Sequence, residues 1–599
     1  MCGIAGIVKI DDRIDENDLK RMAQAIGHRG PDENGTWRGK CAGLVSTRLA
    51  VIDIEGGGQP MTSEDGRWTI VYNGEVYNHP ELRKTLEARG HRFRTRSDTE
   101  VVLRAVMEWG MDAPEKMRGV FAYAAWDSFD ERLLLTRDRL GLKPLYRFFG
   151  NGMMAFASEI KALLQIREIR EFVTPDLSSI HEVMCFNFPL GDRTVFEGVR
   201  EVPAGFTISW RNGRFWHRRY WDFVIPEADK KEEVTDEDAS AAEFRERLEE
   251  SVRLRLMSDV PLGVLLSGGL DSSVVAALVA RETGAGPATF SIGFDEPEWD
   301  ESRYSKMVAE HIGADHHPIR STVGLDMLPE VIYHLDQPQR WAGSTSLLQL
   351  YRAASEKVKV VLTGEGADEI LAGYLHMVAL ARAIGNGDEP PEILYWKALY
   401  QMPQNGAKKL YNDDFYEHNK IMRDDYAINQ HKMTGRDPVD IAVYLDVKNR
   451  MERFVVFMQD RLSMAAGVEA RVPFLDNEFV EYVAGIDPAM KLKPPRAKHI
   501  LRLAARGLLP DEIVGRPKQG FIEPADAWMR GPLPEFIVRA LAADTVLDKG
   551  FFRPEEVRRL LEIHRAGKEN HGHLLIGVAS VHIWHDMFFG EGPPEKPAG

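Results

Sequence analysis

VPLGVLLSGGLDSSVVAALVARETG (260–284) decides the architecture of half of this chain. VPLGVLL fits a buried strand, Gly268 and Gly269 fit a tight turn, and SSVVAALVA opens a helix. Backbone N–H groups at such a helix start, approached closely because glycine lacks a Cβ, form an anion site. Asp271 places a carboxylate at the same turn, where it can serve a divalent cation held by phosphates. No GxxxxGKS or GxxxxGKT is present, and no GxGxxG follows a strand. GGGQP (56–60) reads as a loop, because Pro60 follows and no helix opens there.

Working outward, EFRERLEESVRLRLMSD (243–259) has the spacing of an amphipathic helix, while ATFSIGF (288–294) and VKVVLTGEGADE (358–369) supply further buried strands. Strands alternating with helices predict an α/β doubly wound parallel sheet, followed by a largely helical region over 380–580. Upstream the texture differs. IAGIVKI, WTIVYNG, FAYAAWD, RLLLTRD and MMAFAS are short β-like runs, with HPELRKTLEARG as a helix among them. They predict a layered α+β domain over about 1–210. FVIPEADKKEEVTDEDASAAE, around 222–242, is charged and poor in aromatics and reads as a linker; GEGPPEKPAG at the end reads as disordered.

At 599 residues two or more domains are expected, and 44% hydrophobic with 28% charged residues is an ordinary globular composition. A net charge of −16 argues against nucleic acid or an anionic membrane as partner. No apolar run reaches the roughly 18–20 residues of a membrane helix, and the first ten residues lack the basic start of a signal peptide. Cys2, Cys41 and Cys185 are too few and too scattered for a disulfide framework or a metal site, which fits a reducing, cytoplasmic location.

SGGLDSS (267–273) resembles the PP-loop of ATP pyrophosphatases, which split ATP into AMP and pyrophosphate. LTGEGADEILAGY (362–374), SMAAGVEARVPFLD (463–476) and GRPKQGF (515–521) narrow the resemblance to the class II, glutamine-hydrolysing asparagine synthetases, from Cys2 to about Pro524. HRGPDENG (28–35) and RDRLGLKPLY (137–146) complete the signature.

The resemblance implies an N-terminal Ntn sandwich (αββα) glutaminase domain over 2–215, a linker over 216–242, a PP-loop synthetase domain over 243–585 and a disordered tail over 586–599. It also gives MCGIAGIV a meaning. Removal of Met1 leaves Cys2 as a nucleophile whose α-amine titrates near pH 8 and serves as base for its own thiol. In TRLAVID, Arg48 would hold the glutamine carboxylate, with Leu49, Ala50, Val51 and Ile52 as further glutamine-binding residues. In YNGEVYN, Asn73 and Gly74 would form the oxyanion hole; Glu75, with Asp98 of SDTE, would accept from the glutamine amine.

In the synthetase half, the resemblance places ATP against Leu265, Ser267, Gly268, Gly269, Asp271, Ser272, Ile292, Thr363 and Gly364, with Mg²⁺ on Asp271 and Asp368. Lys518 would neutralise charge during adenylation, and Glu365 would take a proton from attacking ammonia. An apolar tunnel would carry that ammonia, and a homodimer is the family expectation. The expected substrates are glutamine, ATP and a carboxylate acceptor. LDQPQRWAGSTSLLQLY (335–351) departs from the family's usual LDEP-x-x-DSS at Gln337, Trp341, Ala342 and Gly343. Two acceptor readings therefore stand: aspartate, or another carboxylate such as a cell-wall peptide, a uronic acid or a secondary-metabolite acid. A catalytically silent homologue is the third reading.

Overall fold

The computed structural model describes residues 2–10, 13–231, 234–387, 389–403, 405–418, 433–494, 496–520 and 523–597. Met1, whose removal the nucleophile reading requires, and Phe521 of GRPKQGF lie outside the described residues.

Strands β1 (Cys2–Lys9), β2 (Glu33–Arg38), β3 (Ala42–Arg48), β4 (Met61–Thr62), β5 (Trp68–Val76), β6 (Gly119–Asp127), β7 (Arg132–Arg137), β8 (Tyr146–Gly150), β9 (Met153–Ala157), β10 (Val199–Glu201), β11 (Phe206–Arg211) and β12 (Arg214–Arg219) build two sheets. Their orders are β10-β8-β9-β1-β3-β2 and β12-β11-β7-β6-β5-β4. Alternation along each strand sorts the side chains. Cys2, Ile4 and Val8 of β1 meet Val71, Ala122 and Trp126 between the sheets. Ala5 and Ile7 face outward onto the helix Glu16–Ala25 through Leu19 and Met22. Ile70 and Tyr72 of β5 face the helices His79–Glu87 and Asp98–Trp109 through Leu82, Leu86 and Val101. Helix, sheet, sheet, helix is the expected αββα sandwich.

The second half holds β13 (Leu262–Leu265), β14 (Ala288–Gly293), β15 (Asp315–Arg320), β16 (Val360–Leu362) and β17 (Glu469–Arg471), all parallel in the order β15-β14-β13-β16-β17. The chain enters at the sheet centre, winds to one edge, then returns to build the other. The reversal falls between β13 and β16, so their carboxyl ends open the crevice where doubly wound sheets bind ligands. Helices follow over most of the remaining chain.

Two boundaries differ from the sequence expectation. β12 runs to Arg219 and the helix Glu237–Arg255 begins before residue 243, so both elements extend into the expected linker. The tail expected to be disordered from 586 carries the helix Gly572–Phe589 to its end. Beyond it, Gln165 Nε2 donates to the Pro594 carbonyl (3.4 Å) and Lys596 Nζ lies 2.7 Å from Glu330. Trp584 and Phe588 pack edge-to-face against Phe196 of the first domain, an apolar anchor that composition alone does not reveal. Among the described residues no helix is long and apolar enough to cross a membrane.

The two halves meet through buried charge. Glu159 pairs with Arg29 (3.0 Å), Lys161 and Arg461 (3.2 Å); Asp336 pairs with Lys161 (2.9 Å) and Arg461 (3.1 Å); Asp460 pairs with Arg29 (2.8 Å) and Lys143 (3.2 Å). Removing one member of such a set leaves an uncompensated buried charge, at a cost of about 3–5 kcal/mol. Its alternating signs fix the register between the domains.

Candidate functional sites

The antiparallel register of β1 and β3 sets Cys2 directly opposite Arg48. Across the sandwich, β5 turns Asn73 and Glu75 to the same side as Val71, toward Cys2. Asn73 Oδ1 accepts from the Cys2 backbone N–H (3.0 Å), while its buried Nδ2 has no hydrogen-bond partner among the described residues. A fully buried amide donor left open beside a thiol is what an oxyanion requires. Burial pushes the Cys2 thiol above its ordinary value; Arg48 opposes the rise, and Asp98 and Glu75 add to it. A thiol so placed needs a base to give up its proton.

Asp98 begins its helix beside this pocket, and its Oδ2 accepts from Tyr72 OH (2.7 Å) and from the Val76 N–H (3.2 Å). The Arg48 guanidinium donates to both oxygens of Glu33 (3.0 and 3.1 Å) and to the carbonyls of Ile52, Asp53 and Ile54. The fork proposed for a glutamine carboxylate is thus occupied by Glu33, which an incoming carboxylate has to replace. Leu49 and Val51 point elsewhere: they pack on Val360 and Met464 of the other domain, with Ile52 against the same cluster. The side chains of Leu49 and Val51 thus serve interface packing, which leaves their backbone groups to face the glutamine pocket.

The loop GGGQP contributes a residue the motifs missed. Gln59 Nε2 lies 3.7 Å from Cys2 Sγ and 3.4 Å from Thr99 Oγ1, while its Oε1 accepts from the Tyr72 N–H (2.7 Å). Only the folded return of this loop onto β5 brings Gln59 to the thiol.

At the sheet's switch point, a cavity of about 440 Å³ gathers Leu265, Ser267, Gly269, Asp271 and Ser272 from the end of β13 with Thr363, Gly364, Glu365 and Asp368 from the end of β16. Gly268 has φ +77°, and a Cβ there would lie 2.4 Å from the Ser305 nitrogen, so the turn demands glycine. A Cβ on Gly364 would lie 2.5 Å from the Ser272 nitrogen, and glycine is what lets the segment after β16 meet the start of the helix Leu270–Thr283. Ile292 joins Leu265 and Phe290 on an apolar wall of the cavity.

The two expected metal carboxylates do converge. Lys498 Nζ lies 2.6 Å from Asp271 Oδ2 and 2.5 Å from Asp368 Oδ1, and Lys518 Nζ donates to Asp368 Oδ2 (2.6 Å). Burial works to raise the Asp368 carboxyl, but Lys498 and Lys518 overcome it and hold the group well below the usual carboxylate range. Buried Asp271 Oδ1 has no hydrogen-bond partner among the described residues. Paired hard oxygens that already share one cation fit Mg²⁺. Lys498 carries no motif: the cation of an acidic site arrives from wherever the fold brings it.

Glu365 opens onto the cavity, yet lies deep enough that desolvation raises its carboxyl; Asp368 and Asp271 add to this and Lys518 opposes it. A carboxylate of raised proton affinity is the better general base. Of the divergent residues at 335–351, Trp341 lines the cavity, edge-to-face with Phe454 at 5.6 Å. Ala342 and Gly343 are buried at the start of the helix Gly343–Ser355, whereas Gln337 lines a separate small crevice with Tyr146 and Ile160. Arg450, also missed by the motifs, stands in the cavity 4.3 Å over the Tyr374 ring and 3.4 Å from Glu369.

A family model described as glutamine amidotransferase domain matches residues 1–221, and one described as asparagine synthase matches 243–586. The chain belongs to the asparagine synthase family. It is similar to asparagine synthetase [glutamine-hydrolyzing] 1 of Bacillus subtilis (strain 168), 31% identical over 98% of this chain and 97% of that protein. Asparagine synthetase B [glutamine-hydrolyzing] of Escherichia coli (strain K12) is 30% identical, over 87% of this chain and 82% of its own. Amidase chyE of Penicillium rubens is also 30% identical, over 89% of each. As a member of the asparagine synthase family, the chain is a carbon–nitrogen ligase carrying a glutamine amidotransferase domain.

Proposed function

We propose that this ligase takes the amide nitrogen of glutamine and attaches it to a carboxylate at the expense of ATP. With aspartate as acceptor, ATP, aspartate, glutamine and water give AMP, pyrophosphate, asparagine and glutamate. Cys2 Sγ attacks the glutamine amide, its proton passing to the α-amine freed by loss of Met1. The Asn73 Nδ2 and Gly74 N–H groups receive the oxyanion, and Arg48, Glu75 and Asp98 hold the amino-acid end. Ammonia leaves as the thioester forms, and water then releases glutamate. In the second cavity the acceptor carboxylate attacks the α-phosphorus of ATP, and pyrophosphate departs past the Ser267–Gly269 turn and Lys518. Ammonia from Cys2, passing through a tunnel between the domains, attacks the acyl-adenylate; Glu365 takes a proton and AMP leaves. Asp271 and Asp368 would hold Mg²⁺, which supplies charge neutralisation to the triphosphate.

The observation that carries this reading is the open, fully buried Asn73 Nδ2 beside Cys2. A second acceptor reading has its own support: Trp341 lines the synthetase cavity with an aromatic face at a divergent position, and one similar chain is named an amidase rather than an asparagine synthetase. Absence of nucleic-acid and membrane partners, a cytoplasmic location and a homodimer belong to the same proposal.

The test is an acceptor screen for glutamine- and ATP-dependent pyrophosphate release. Asparagine formed from aspartate establishes the first reading; turnover of another acid with aspartate inert establishes the second; no turnover overturns both. Cys2→Ala is expected to lose glutamine use and keep synthesis from ammonium, and equal loss of both activities refutes separate sites.

A further inference from the structure

Glu75 is a buried carboxylate beside Asp98, and two like charges in one dry pocket repel. The cation opposing them comes from the other domain. Arg471 is the last residue of β17, the edge strand of the parallel sheet, and is 1% exposed. Its Nη1 donates to the carbonyls of Arg255 and Met257 (both 2.7 Å), and its Nε to Glu469 (2.6 Å). Those bonds fix the guanidinium as a rigid fork. Its Nη2, buried and without a hydrogen-bond partner among the described residues, stands 3.9 Å from Glu75 Oε1. The separation is an ion-pair distance, too long for a hydrogen bond. The Arg471 carbonyl meanwhile accepts from the Thr363 N–H (2.9 Å), at the nucleotide cavity. One residue of the synthetase half thus reaches both sites.

We infer that Arg471 is a positioning residue of the glutamine pocket: its guanidinium orients and balances the Glu75 carboxylate on which the substrate's α-ammonium docks. The inference rests on the proposed role of Glu75. Burial pushes the Glu75 carboxyl well above the usual range, with Asp98 and Glu469 adding to the push and Arg471 opposing it. Arg471 is the side-chain cation that opposes this rise, so its loss drives Glu75 further toward the protonated form, which offers an ammonium nothing ionic. Glutamine recognition is then a property of two domains together, and the excess of glutamine over an analogue lacking the α-amine measures it.

The experiment compares Arg471→Met, Arg471→Lys and Glu75→Gln in the full chain, using glutamine and glutaramate (the same chain without the α-amine) as nitrogen donors. For R471M, KM for glutamine is expected to rise about tenfold with kcat nearly unchanged, the signature of lost ground-state binding. KM for glutaramate should hold, R471K should recover most of the preference, and E75Q should lose it. Synthesis from ammonium reports folding; if R471M loses that too, the double variant E469Q/R471M, which removes both buried charges, decides in its place. Preference lost in E75Q but kept in the deciding Arg471 variant overturns the inference and leaves the reading of Glu75 intact. Preference kept in E75Q overturns that reading, and the inference with it.

Discussion

Asn73→Ala tests the donor on which the glutaminase reading stands. The side chain is fully buried, its Oδ1 accepts from the Cys2 N–H and its Nδ2 is open, so truncation removes two distinct things. Loss of one preorganised oxyanion donor lowers kcat by about 10²–10³, or roughly 2.7–4 kcal/mol. Loss of the acceptor leaves a buried N–H unsatisfied, at about 1–3 kcal/mol of stability. Asn73→Asp keeps an acceptor for the Cys2 N–H but puts a negative charge where the donor stood, beside Glu75 and Asp98, so it opposes an oxyanion outright. The assay is steady-state glutamate release, with ammonium-dependent synthesis as the control for folding and thermal melts for stability. Both variants are expected to lose kcat, the aspartate variant more, and both to lose thermal stability, the alanine variant through the unsatisfied N–H and the aspartate variant through the added buried charge. A glutaminase kcat within about threefold of the parent in folded Asn73→Ala protein refutes the oxyanion-hole assignment.

Lys498→Met is expected to remove synthesis from both glutamine and ammonium while glutaminase activity stays, because Asp271 and Asp368 lose the cation they share; pyrophosphate release and glutamate release measured side by side check this. His334 is held down to about 3 by burial, with His28 and Lys161 adding to it, so it stays neutral in the fold while the unfolded chain takes up a proton below about 6.5. The unfolded state therefore binds more protons, and stability falls as pH drops from about 6.5 toward 3, by up to about 1.4 kcal/mol per pH unit for this group. His334→Leu is expected to narrow the difference between melting temperatures at pH 7.5 and pH 5.5; an unchanged difference refutes the assignment.

Local chemistry was written into the chain order. A strand, a glycine turn and a helix at 260–284 need only neighbours in sequence, and Gly268 takes its positive φ where the letters place it. Likewise YNGEVYN carries Asn73 and Glu75 two residues apart, which a strand turns to one side whatever surrounds it. Glu365 and Asp368 follow β16 for the same reason.

What the sequence could not settle is who answers each of these groups. Gln59, Arg450 and Lys498 stand outside the signature stretches, Arg29 and Arg471 sit inside stretches that do not say what they pair with, and each acquires its role from a contact across many residues. Arg48 shows the converse: its motif was legible, but its occupation by Glu33 and three carbonyls is decided by how the loop 49–58 wraps it. That the side chains of Leu49 and Val51 pack on Val360 and Met464 is likewise decided only when the second domain is placed against them. The physical reason is range. Turns, caps and strand alternation are set by bonds between neighbours, whereas ion pairs and buried apolar contacts depend on distances that only the closed chain defines.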